Sequence, residues 1–348
     1  MAYHSRRSFL SHPMGKWGLF MLFLFLLWFA GWYAFANYAD GKIGEALVGA
    51  KDRGINVECD NRQMRGFPFR IGVTCDSVNV AHNRDVFKLQ LGAVRTAAQL
   101  YAPGELVAEI DGPFKTWPNG RELIADWSAM RLFLDANLTG GFELASLTFS
   151  NLTSSINRAA LSVADGAVHV RPTPQSEEVE NIGPPSLDGA LKLTNLSATL
   201  PNLVVPEATL DADGTLVEGY QDLILARRPF RSVLRDGAEF DIRNLSLSLP
   251  DGGRLAFAGP LSVDEDGLLS GKIEVGVAKP QSVADWAGQI SPQLAQQLGM
   301  ITQAIAGMGK PATLGGAELR SITLTIDKGI VRLGFIQLPE PIPPLFRN

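Results

Sequence analysis

At 348 residues the chain is long enough for one large domain or two ordinary ones with a substantial core. A net charge of −5 and a pI near 5.5 exclude a nucleic-acid partner, which would need a basic face. Only 19% of residues are charged against 46% apolar, an excess that comes from one N-terminal segment and from the alternating runs after it.

Residues 1–16 read as a cytoplasmic tail carrying Arg6, Arg7 and Lys16. Trp17 to Ala36 follows without a charge, and twenty residues at helical rise just cover a ~30 Å hydrocarbon core. Residues 17–38 are therefore predicted to be a transmembrane signal anchor, with Trp28, Trp32, Tyr33 and Tyr38 at the far interface. The positive-inside bias puts the N-terminus in the bacterial cytoplasm and the rest in the periplasm, although Lys42, Lys51 and Arg53 soften it. Ala34-Phe35-Ala36 also fits a cleavage site, but the apolar stretch is longer than a removed signal usually carries, which favours retention. Ser5 to Leu10 resembles a twin-arginine signal, though the segment is more hydrophobic than such signals usually are.

Residues 39–54 are predicted to be a connecting helix, with Ile43, Ala46, Leu47 and Ala50 at helical spacing and Gly54 as its stop. From Ile55 the period becomes two. Asp-Gly pairs starting at Asp111, Asp165, Asp188, Asp213, Asp236, Asp251 and Asp266 predict hairpin turns, so the fold is mainly β and antiparallel. Cys59 and Cys75 share the parity of their apolar neighbours, as a cross-strand disulfide in a hairpin requires; two buried thiols are the alternative. Between them lies Arg65-Gly66-Phe67-Pro68-Phe69-Arg70. Its two arginines around aromatics suit an anionic headgroup, or the Phe residues simply plug the sheet's end at a tight turn.

A short helix is expected to hold Leu123, Ile124 and Trp127. Residues 55–170 form a first β subdomain and 186–348 a second, separated by a loop or linker at 171–185 with four prolines and three glutamates. Alternation with a one-residue slip recurs at Phe142–Phe149, Leu191–Leu200, Phe240–Leu249 and Ala317–Ile326, which suggests bulged strands in one long, curved sheet built by repetition. A helical insertion spans 281–309: Ser282 caps one helix, and Ser291 with Pro292 starts another bearing the apolar stripe Leu294, Leu298, Ile301, Ile305 and Met308. That stripe packs on the sheet or forms a lid over an apolar groove.

Chemistry is sparse. The four histidines have no metal-ligand spacing, and no Gly-x-Ser-x-Gly elbow, phosphate loop or dinucleotide fingerprint occurs. Asp211–Gly214 and Asp264–Gly267 read as turns rather than calcium loops, lacking the spacing and the closing glutamate. No catalytic residue, metal or cofactor is expected, and the chain does not read as an enzyme.

Gly66-Phe67-Pro68-Phe69-Arg70 flanked by Cys59 and Cys75, behind an N-terminal anchor, resembles an uncharacterised alphaproteobacterial envelope family, domain of unknown function 2125. Runs such as Leu245 to Gly252 are similar in texture to AsmA-like envelope proteins. That likeness implies a long curved sheet with an apolar interior and a role in lipid transport or envelope maintenance, with no catalytic residue to carry over. The leading expectation is a membrane-tethered protein binding lipid or lipidated cargo in an apolar β groove. An assembly scaffold that pairs with another envelope protein through sheet edges is the alternative, and a hydrolase of envelope polymers the third.

Overall fold

The computed structural model describes residues 13–82, 87–137, 141–174, 185–337 and 341–346. The twin-arginine pair Arg6-Arg7 and most of the 171–185 stretch lie outside the described residues. Helix α1 (Pro13–Asp52) merges the expected anchor and connecting helix into one rod about 60 Å long. It ends at Gly54, whose φ of 86° needs a residue without a side chain.

The strands are β1 (Ile55–Asp60), β2 (Gln63–Arg65), β3 (Arg70–Cys75), β4 (Ser77–His82), β5 (Lys88–Leu91), β6 (Val94–Gln99), β7 (Ala102–Ile110), β8 (Phe114–Thr116), β9 (Leu123–Asp126), β10 (Ala129–Ala136) and β11 (Phe142–Ile156). They continue with β12 (Ala159–Pro172), β13 (Leu187–Leu200), β14 (Leu203–Leu216), β15 (Ala238–Ser248), β16 (Arg254–Val263), β17 (Leu269–Ala278), β18 (Lys310–Leu314), β19 (Ala317–Asp327), β20 (Ile330–Leu333) and β21 (Ile336–Gln337). All pair antiparallel in one open, curved sheet.

From β11 to β17 the strands form a meander of successive neighbours, and β19 then lies beside β17. The sheet runs without a break through the 171–185 stretch, because β12 pairs directly with β13. On the other side of β11 it forks. One leaf follows β10, β7, β6, β3 and β2. The other follows β9, β8, β5, β4 and β1.

Cys59 on β1 and Cys75 on β3 are bonded, with Cα atoms 5.3 Å apart. They do not face each other across a hairpin as expected: Cys59 lies opposite Val78 on β4, since the turn at Asn61 and the strand β2 intervene before β3. The disulfide therefore staples the two leaves together. Changing both cysteines to alanine is expected to lower stability by about 3 kcal/mol, the chain-entropy value for a loop of about 15 residues. A denaturant midpoint for the variant equal to that of the oxidised parent would refute the staple.

The register sorts side chains onto two unlike faces. One face carries an apolar row from Leu132 on β10 through Leu147, Val168, Leu191, Ala212, Leu245, Phe257 and Val275 to Ile322 on β19. The eight steps of this row span about 38 Å at the usual interstrand spacing. The neighbouring row on the opposite face reads Arg131, Thr148, Ala167, Lys192, Asp211 and Ser246. The first face is thus apolar, whereas the second is polar from β10 to β14 and is buried at its β15–β19 end, where Ser246, Ala256 and Leu319 are enclosed and the Arg254 guanidinium donates to the Gly315 carbonyl at 2.7 Å.

Several expectations need correction. Asp165-Gly166, Asp188-Gly189 and Asp213-Gly214 are not turns but lie inside β12, β13 and β14, so the Asp211–Gly214 cluster is strand as well. Each pair puts its carboxylate on the polar face and its glycine on the apolar one. Gly166 is needed there: a Cβ would come 2.0 Å from the Phe149 ring. Three other pairs do turn the chain, at Gly237, Gly252 and Gly267, all with positive φ. Leu123 and Ile124 lie on strand β9 rather than a helix, and the Trp127 indole N–H donates to the Ile110 carbonyl at 2.7 Å. The expected slips in β13 and β15 are register shifts, whereas β11 pairs with β10 in unbroken register from Leu144 to Leu147 and β19 pairs with β17 without a break. In β19 the covering changes instead: Leu319 packs over Gly276, while Ile322 and Leu324 face the core under the helices.

Those helices are α3 (Pro280–Ile290) and α4 (Pro292–Met308). Ser282 does not cap α3, which starts earlier, with Lys279 in a left-handed conformation before Pro280. Ser291 caps α4, its hydroxyl accepting from the Leu294 N–H at 3.1 Å. The best-buried core joins Val283 and Ile305 from these helices to Leu255, Val275 and Val277 from the sheet and to Leu249 just past β15.

Candidate functional site

The apolar face is finished differently along its length. Under α3 and α4 it is closed and filled. Over β11 to β14 Leu147, Val168, Leu191 and Ala212 are only partly buried. Beside them a cavity of about 400 Å³ is floored by residues including Val168, Leu191, Leu216 and Phe240 and roofed by Leu223 and Phe230. The roof is the segment from Val217 to Arg235, which contains a π-helical turn (Gln221–Leu225) and the short helix α2 (Phe230–Arg235).

Specific bonds hold the roof. The Tyr220 hydroxyl donates to the Phe142 carbonyl at 3.0 Å and accepts from the Phe142 N–H at 2.9 Å, with the two rings 5.5 Å apart. The Gln221 N–H reaches the Pro185 carbonyl at 3.0 Å, and Arg228 bridges Asp222 and Asp236. Beneath the sheet, on its polar face, Asp188 is only 6% exposed. It accepts from Thr215 at 2.6 Å and Thr173 at 3.0 Å, with Arg243 at 3.3 Å and Arg171 at 3.4 Å. Burial pushes its carboxyl upward, but the Thr215 and Thr173 hydrogen bonds and the Arg243 charge outweigh it and hold it below the usual carboxylate range.

The residues singled out by sequence fall into two separate places. Leu298 and Ile305 of α4 belong to the core with the sheet, and Leu294 is half-buried. Ile301 and Met308 do not share that stripe: Ile301 is 52% exposed and Met308 is exposed too. With Ile305 fully buried, α4 covers a filled core rather than an open groove. Arg65, Phe67, Phe69 and Arg70 lie at the far end of the sheet, against α1. Phe67 packs on Phe25, Phe29 and Trp32, with ring centroids 5.3 to 6.1 Å apart, and Phe69 sits 6.2 Å from Trp28.

The roof residues Leu223 and Phe230 had no predicted role. Their signal was the lost alternation between Val217 and Arg235, where the chain leaves the sheet. Among the described residues no cluster of His, Cys, Asp or Glu could hold a metal.

Fold and site together define a mostly β protein with an open, two-faced sheet and one N-terminal helix long and apolar enough to cross a membrane. The chain belongs to the DUF2125 family, uncharacterised proteins conserved in bacteria, whose model matches residues 32–340. No curated protein and no solved structure matches it.

Proposed function

We propose that this is a single-pass, membrane-anchored protein whose domain lies outside the cytoplasm and binds an acyl chain of a lipid or lipidated cargo on the apolar face of its sheet, without catalysing a reaction. The observation that carries this is the partly exposed apolar row leading into the roofed cavity between β12 and β15. Its volume of about 400 Å³ lies within the ~300–1,000 Å³ range of ligand sites. A partly exposed apolar strip opening into such a cavity favours an apolar occupant. The basic residues before α1 and the Cys59–Cys75 bond support export into an oxidising compartment.

The test is photocrosslinking of the full-length protein in membranes with a phospholipid carrying a diazirine on its acyl chain. Adducts are expected on β12 to β15 and on the roof around Leu223 and Phe230, and they should vanish in Phe230→Asp. Adducts confined to α1 would overturn the groove. Protein crosslinks through the edge strand β18 in their place would favour the scaffold reading.

A further inference from the structure

We infer that the turn from Arg65 to Arg70 and the neighbouring turn at Leu100-Tyr101 are immersed in the domain-side leaflet of the bilayer as a second membrane attachment. The inference rests on α1 spanning the membrane.

The contact heights along α1 carry it. Lys16 and Asp40 are the charged residues that bracket its apolar section. Starting at Trp17, a helix needs to continue to about Ala36 to cross a ~30 Å core. Phe67 packs on Phe25 and Phe29, which precede Ala36 by about 16 and 10 Å of helix. The turn tip therefore sits at hydrocarbon depth. Even a span shortened to about 17 residues still contains Phe29. Arg62 pairs with Asp40 at 3.0 Å, which keeps the rest of the leaf at the polar end of the helix.

The turn is built for that solvent. Irregular backbone survives in lipid where its polar groups are paired within the protein, and four carbonyls of this turn are. The Pro68 carbonyl accepts from the Trp28 indole at 3.0 Å and the Arg70 carbonyl from the Trp32 indole at 2.9 Å. The Gly66 carbonyl accepts from the Arg70 N–H at 2.9 Å and the Phe69 carbonyl from the Leu100 N–H at 3.0 Å. Pro68 has no N–H to satisfy. The side chains pointing outward are apolar or interfacial: Phe69 is 60% exposed and Tyr101 78%. Arg65 and Arg70 flank the tip, both exposed; the Arg65 guanidinium turns back to Gln63 Oε1 at 2.7 Å, and the long stem of Arg70 lets its guanidinium reach back to a lipid phosphate. A soluble protein partner fits less well, because the anchor's own apolar section would hold lipid where that partner must dock.

The experiment uses the full-length protein in vesicles of phosphatidylethanolamine and phosphatidylglycerol. Single cysteines carrying an environment-sensitive fluorophore are placed at Phe69→Cys, Tyr101→Cys, Leu24→Cys on α1 and Asn202→Cys on the β13–β14 turn. Immersion predicts blue-shifted emission and protection from iodide at positions 69 and 101, as at 24, with position 202 quenched. Quenching at 69 and 101 while 24 stays protected would overturn the immersion and leave the anchor intact. Quenching at 24 as well would remove the anchor and this inference with it. The labels do not report on the sheet groove, so that reading stands or falls separately on its crosslinks. Position 101 guards against a failure of the Phe69 variant to fold.

Discussion

Ile305→Ala is expected to destabilise the domain by about 2–5 kcal/mol, the range for deleting a fully buried aliphatic side chain that leaves a cavity. Ile305 is 0% exposed and sits where α4 meets Val283 of α3 and the Val275 and Val277 rows of the sheet. Little can collapse into the gap, because the sheet is held by its ladder and α3 by Val283. Ile305→Asp is expected to detach the helix pair, since it adds an unpaired buried charge to the lost packing. Ile301 is one turn earlier and faces solvent, so Ile301→Asp is expected to change stability by less than about 0.5 kcal/mol. Chemical denaturation of the full-length protein in detergent micelles compares the three variants. Equal costs at 301 and 305 would mean that α4 is rotated on the sheet, and the reading of α4 as a core helix would fail.

Asp188→Leu is expected to cost about 3 kcal/mol, the lower end for removing one partner of a buried ion pair. The lower end applies because Arg171 and Arg243 are half-exposed and water can reclaim them. Thr173 and Thr215 lose their shared acceptor as well. The pH dependence follows from the sign of the shift. A carboxyl whose folded pKa lies below its unfolded value of about 3.9 contributes stability that is present in full above that value. This part is lost as pH falls through the depressed folded pKa. Wild type should therefore lose stability in acid, below about pH 4, more steeply than Asp188→Leu, with the two curves parallel at neutral pH. Parallel curves in acid would show that Asp188 is not held as its partners suggest.

The apolar row connects these sites. At its β17–β19 end it is sealed by α3 and α4, which makes a stable terminus. In its middle it stays open beneath the Val217–Arg235 roof. At the opposite side of the sheet the leaves run down to the turn that packs on α1. The proposed cargo site and the proposed second membrane attachment therefore lie on one continuous sheet, away from its sealed end.

Local chemistry was enough for part of this. Twenty uncharged residues behind basic ones dictate a span-length helix, because chain length and hydrocarbon thickness must match. Period-two alternation dictates strands, and Ser291-Pro292 dictates where α4 starts. The Phe67-Pro68-Phe69 turn could be singled out because two aromatics around a proline lie between two arginines and inside the Cys59–Cys75 loop. What alternation leaves open is which strand pairs with which and what covers each face. Asp165-Gly166 and Asp188-Gly189 have turn composition, yet they lie in mid-strand. There the long-range ladder supplies their hydrogen bonds, and Phe149 requires a glycine opposite it. Helical spacing alone assigns Ile301 and Ile305 to one stripe; only the docked angle of α4 buries one and exposes the other. The disulfide joins two leaves, the roof covers β12 to β15, and the turn meets α1 at the height of Phe25. Each of these contacts links residues far apart in the chain, so tertiary packing decided them and local propensity had no hold on them.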